Sequence, residues 1–113
     1  MNVFEKAHAA ADSIGIYSCP DVYPGDNRER WITYNTLYER GALYGDDIAH
    51  DMVTSIQVHL FLPRNENYFS IRRQLRNALI AQGFTFPEMV NNSIEGMHRH
   101  IVFECDDDEV RED

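Results

Sequence analysis

Residues 54–62 read TSIQVHLFL. Thr54, Ile56, Val58, Leu60 and Leu62 fall two apart, so an extended chain turns all five to one side, with Ser55, Gln57 and His59 on the other. That alternation is the pattern of a strand with one face in a core. Pro63 ends the pairing by removing a donor, and Asn65 offers a side-chain oxygen to cap the element that follows.

Downstream, residues 65–84 read NENYFSIRRQLRNALIAQGF. Tyr68, Ile71, Leu75, Ala78 and Leu79 recur at spacings of three and four, and Gly83 sits where a left-handed cap is expected, so the spacing predicts a helix over 68–82 lying across the sheet. Its polar side gathers Arg72, Arg73 and Arg76, which read as a solvated face or as a socket for acidic groups of a partner. After Phe86 and Pro87, the segments EMVNNSI (88–94) and MHRHIVFEC (97–105) form a hairpin about Glu95 and Gly96, where glycine accepts a positive φ. Ile101, Phe103 and Cys105 share one face of the last strand; His98, His100 and Glu104 share the other.

Upstream, WITYNTLYER (31–40) is β-branched and aromatic and suits a strand, whereas GALYGDDIAHD (41–51), with two glycines and three aspartates, reads as a long mobile hairpin connection. Val3, Phe4, Ala7, Ala10, Ala11 and Ile14 predict an amphipathic helix over 2–14, capped by Asn2 and stopped by Gly15. The stretch between, IYSCPDVYPGDNRER (16–30), is an irregular connection. The expected fold is α+β: an antiparallel sheet of about four strands packed by one central helix, with an additional N-terminal helix, in the order α-β-β-α-β-β. It occupies a single domain over 1–105. In DDDEVRED, 106–113, neighbouring like charges favour a flexible, solvated tail.

A chain of 113 residues supports one core, and 43% apolar content with thirteen aromatics is that of a folded protein. Ten basic residues against nineteen acidic ones give a charge of −9, which repels phosphate backbones and argues against sequence-specific nucleic-acid binding. No apolar run approaches the roughly 18 residues of a membrane span, and MNVFEKAHAA lacks the pattern of a signal peptide, so a cytoplasmic chain without membrane partners is expected. Cys19 and Cys105 stand apart, without C-x-x-C spacing, and read as reduced packing residues.

Chemistry-bearing patterns are few. His98 and His100 form an H-x-H pair with Glu104 on the same face, a spacing some metal sites use, yet zinc takes three or four ligands and no nearby motif completes the set. Asp46, Asp47 and Asp51 lack the glycine and terminal glutamate of a calcium loop. Nothing evident lowers the pKa of either thiol, and Gly41 and Gly45 precede no phosphate-binding helix. No catalytic residue, metal ligand or cofactor is assigned. Tyr17, Tyr23, Trp31, Tyr34, Tyr38, Tyr44 and Tyr68 exceed what one small core needs, and such residues anchor protein contacts.

The order of elements resembles the small tail terminator and tail completion proteins of tailed bacteriophages and prophages. The resemblance runs through the opening helix, W-I-T-Y at 31–34, the loop with Asp46 and Asp47, I-Q-V-H-L-F at 56–61, the helix closing on A-Q-G-F at 81–84, and H-R-H-I-V-F at 98–103. It implies a structural virion protein of the tail or neck, present in the host cytoplasm during assembly. Such a protein forms a ring, commonly hexameric, stops tube polymerisation and joins the tail to the head. The implied partners are copies of itself, the tail tube protein and a head-completion or connector protein, and no enzymatic role is implied. The expected contact residues are Tyr38, Leu43, Tyr44 and Asp47 on the hairpin, with Arg72, Arg73 and Arg76 facing acidic groups of the next subunit. The alternatives are a cytosolic adaptor for one host protein and a metal-dependent enzyme using His98 and His100.

Overall fold

The computed structural model describes residues 1–25, 27–44 and 48–110, and of 42–44, 48–51 and 108–110 the backbone alone. In chain order the elements are α1 (Val3–Ser13), β1 (Ser18–Pro20), β2 (Trp31–Tyr44), β3 (Ile48–Pro63), α2 (Phe69–Ala81), β4 (Glu88–Glu95) and β5 (His98–Val110). They build an α+β fold with one sheet in the order β1-β2-β3-β5-β4, antiparallel throughout except where β1 runs parallel to β2. The alternation that opens the sequence reading is the centre of this sheet. Ile56, Leu60 and Leu62 are fully buried, Thr54 and Val58 nearly so, and β3 pairs with β2 on one side and β5 on the other.

Both helices lie on that apolar face, in one core with Ile32 and Tyr34 of β2 and Ile101, Phe103 and Cys105 of β5. The sheet has five strands where about four were expected, and the N-terminal helix shares the packing role expected of the central helix alone. Alanines at positions 7, 10 and 11 give α1 a buried stripe without bulk, and α2 contributes Leu75 and Leu79. Each helix has the stop its glycine predicts. Gly15 at φ 73° and Gly83 at φ 96° let Ile16 N–H reach Ala11 O and Phe84 N–H reach Leu79 O, which satisfies carbonyls left open by the last turn. Asn2 caps α1 in a reciprocal box with Glu5. The cap expected from Asn65 is absent, because a turn closed by Glu66 N–H to Pro63 O uses that residue up; Asn67 Oδ1 accepts from Phe69 N–H at 3.0 Å.

Three further expectations are corrected. Most of the stretch read as a mobile connection, 41–51, is strand: Gly41 pairs with Met52, Ala42 with Asp51, Leu43 with Ala49 and Tyr44 with Ile48. Low strand propensity is overridden by pairing between the two arms of the hairpin, and at its base Asp51 meets Val110 of β5 as well as Ala42. The first five residues of the expected tail, Asp106–Val110, likewise continue β5. Two of their charges are answered from other elements. Asp107, almost fully buried, receives Lys6 Nζ of α1 at 2.8 and 3.0 Å, and Asp106 accepts from Ser55 Oγ and lies 3.6 Å from Arg40. The expected irregular connection 16–30 also contains β1, whose proline sits at the sheet edge where a missing donor costs least.

The molecule measures 53 × 23 × 21 Å, and its radius of gyration of 15.3 Å exceeds the about 13 Å of a compact chain this long. The helices cover the half of the sheet that holds Ile32, Tyr34 and 56–62, while β2, β3 and β5 run on past it. No helix among the described residues is long and apolar enough to cross a membrane.

Lys6→Ala leaves Asp107 as a buried, unpaired carboxylate and should cost about 3 kcal/mol, at the lower end of the range for broken buried pairs because the Lys6 side chain is 23% exposed. Asp107→Asn in the same background should recover part of that loss. Urea unfolding of the two variants measures both, and an unchanged midpoint for Lys6→Ala contradicts the ion pair.

Candidate functional surface on the open sheet face

The face of the sheet turned away from the helices carries a ladder of rings. Register sets Trp31 beside Phe61 and Phe61 beside His100 on three successive strands. Trp31 stacks on Phe61 at 5.0 Å between centroids and Phe61 on His100 at 4.3 Å, close to the interstrand spacing, so each ring stands over its own strand and turns its face to the next. Tyr23 extends the row by stacking on Trp31 at 4.1 Å, and His98 meets Trp31 edge-on at 4.7 Å.

A line of hydrogen bonds crosses the same face. Glu95 Oε2 accepts from His100 Nδ1 at 2.6 Å, His100 Nε2 lies 2.8 Å from His59 Nδ1, and His59 Nε2 lies 3.1 Å from both Asn35 Oδ1 and Gln57 Oε1. Gln57 Nε2 in turn donates to Glu104 Oε2 at 3.0 Å. Burial, and then the charge of His100, push the His59 pKa down; the hydrogen bond from His100 pulls Glu95 below the usual carboxylate range.

Further along β2 and β5 lies a mixed trough of about 520 Å³, lined by Leu37, Tyr38, Phe86 and Val90 with Glu88, Glu104 and Asp106. Tyr38 is half exposed there, with Arg40 Nη1 3.2 Å from its hydroxyl. Of the other expected contacts, Leu43 and Tyr44 are described as paired backbone only, and Asp47 and Asp46 lie outside the described residues. The arginines of α2 do not act as one group. Arg72 lies over Tyr68 and Phe69, Arg76 donates from Nε to Pro87 O at 3.2 Å and lies over Phe86 and Phe103, and Arg73 alone is turned to solvent. The aromatic surplus is spent largely inside the chain: Tyr34 is buried against Phe4, Tyr68 lies under Arg99, and Tyr17 meets Tyr23.

The residues singled out for metal chemistry do not form one cluster. His98, His100 and Glu104 do not converge: His98 packs on Trp31, Glu104 holds Gln57, and both ring nitrogens of His100 are engaged. No three His, Cys, Asp or Glu side chains among the described residues gather to hold a metal. The Cys105 thiol is buried and pushed up to about 12, chiefly by desolvation, so it is held as the neutral form.

Sequence reasoning missed His59 and Glu95. His59 was visible as an outward residue of β3, but its meeting with His100 depends on a cross-strand register that one strand's pattern does not give. Comparison with protein-family models and with curated proteins finds no match to this chain.

The pH dependence of folding follows from the two lowered groups. The folded state binds fewer protons than the unfolded chain at His59 and at Glu95, so the share of stability owed to these two groups is complete above the ordinary imidazole value of 6.5 and is lost as pH drops below it, the Glu95 part last. Denaturant midpoints measured between pH 6.5 and 5 should decline, and His59→Gln should flatten the upper part of that decline.

Proposed function

We propose that the chain is a structural subunit of a phage or prophage tail, a terminator or completion protein that assembles with copies of itself into a ring at the head-proximal end of the tail tube. The carrying observation is an elongated sheet with unlike open edges on its two sides. Beyond Tyr34, where β1 stops pairing, the outer edge of β2 has no strand partner among the described residues, and neither has the outer edge of β4. Both edges carry exposed apolar side chains: Leu37 and Tyr38 on β2, and Met89, Val90 and Ile94 on β4. Two different surfaces on opposite sides of one subunit are what head-to-tail association requires, and such association closes into a ring when the rotation per copy allows it. The ribbon of β2, β3 and β5 past the helices gives each copy an arm that reaches its neighbour. A charge of −9 suits a ring through which DNA passes without adhering.

Negative-stain imaging and analytical ultracentrifugation of the purified protein, alone and with tail tube protein, should show a closed oligomer or its formation on tube ends. Ile94→Lys, placed on the exposed β4 edge, should lower association at least tenfold while leaving the circular dichroism spectrum unchanged. A species that stays monomeric in both settings counts against the ring.

A further inference from the structure

We propose that His59 and His100 together bind one proton beyond their neutral complement, held as an imidazole–imidazolium pair bridged N–H···N and anchored on Glu95. Hydrogen-bond accounting carries the inference. Gln57 is oriented by donating to the Glu104 carboxylate, so its Oε1 faces His59 Nε2, and that oxygen only accepts; His59 Nε2 therefore carries hydrogen. At the far end the Glu95 carboxylate only accepts, so His100 Nδ1 carries hydrogen. Between the rings, His59 Nδ1 and His100 Nε2 stand 2.8 Å apart. With no proton there, two lone pairs oppose each other; with two, a pair of cations collide. One proton satisfies the contact, and the total of three ring N–H groups corresponds to one imidazole and one imidazolium.

The surroundings place the charge. β4 brings Glu95 and Ser93, β5 brings His98 and Glu104, β3 brings Gln57 and Phe61, and β2 brings Asn35 and Trp31; the titratable groups facing the pair are thus Glu95, Glu104 and His98. The carboxylate in direct contact is on His100, and His59 is the ring held neutral by burial. Acidification adds a second proton at His59 Nδ1, which has no acceptor there. The ring must then leave His100, giving up Asn35 and Gln57 with it, so the open face changes shape and charge on acidification. This holds whether or not the chain forms rings.

Long-range proton–nitrogen spectra of the nitrogen-15-labelled full chain test it directly. Near pH 6.5 they should show His59 protonated at Nε2 only, His100 protonated at both nitrogens, and a nitrogen–nitrogen coupling across the bridge that disappears on acidification. Two rings that titrate as independent imidazoles, with no coupling at any pH, overturn the proposal. Glu95→Gln, on the exposed rim, should leave His100 protonated at a single nitrogen in the same spectra; a His100 still protonated at both nitrogens removes Glu95 as the anchor.

Discussion

The register of β3 is the constraint on which everything else rests. A slip of one residue against either neighbour would turn Ile56, Val58, Leu60 and Leu62 out to water and bring Gln57 and His59 under the helices. Burying the four apolar side chains is worth roughly 1.5–3 kcal/mol each, and the polar residues carry desolvation costs in the opposite sense, so the correct register wins by a wide margin. Because β3 is paired along both edges, fixing it also fixes β2 and β5. The ring ladder and the hydrogen-bond line on the open face are consequences of that alignment, since Trp31, Phe61 and His100 meet only in this register.

What could be read in the sequence follows from which interactions are local. The period of β3, the 3–4 spacing of both helices and the stops at Gly15 and Gly83 depend on residues within one element, and each is found where the pattern put it. The misplaced parts depend on partners far along the chain. Asp106 and Asp107 looked like a frayed tail because Lys6, Arg40 and Ser55, which answer their charges, come from other elements. Gly41 to Tyr44 and Ile48 to Asp51 looked like parts of a loop because their composition is poor in strand formers, whereas their pairing continues the register set by β2 and β3 farther down the ladder. The same reason hid the surface: His98 and His100 drew notice as an i, i+2 pair, while the geometry joins His100 to His59, 41 residues away in sequence.

The polar half of the open face is built to be satisfied internally. Every ring nitrogen of His59 and His100 is committed, Gln57 is held at both ends of its amide, and the rings lend their faces to one another. At neutral pH such self-pairing holds neighbouring strands in a fixed alignment. Open backbone donors and acceptors lie instead along the outer edges of β2 and β4, beside exposed apolar side chains.

The composition of β4 bears on how those edges are used. Its sequence, EMVNNSIE, begins and ends on glutamate. If two copies paired through β4 in a fully overlapped antiparallel register, Glu88 of each would face Glu95 of the other at both ends of the ladder, and like charges directly opposite are destabilising. That disfavours a two-fold dimer through this edge, and Glu95 is also the residue that anchors His100. The outer edge of β2 offers Leu37 and Tyr38 as apolar partners for Met89, Val90 and Ile94, while Arg40 beside them is already turned back to Asp106. Repulsion in the symmetric pairing and apolar surface on two unlike edges agree with the head-to-tail association proposed for a closed ring.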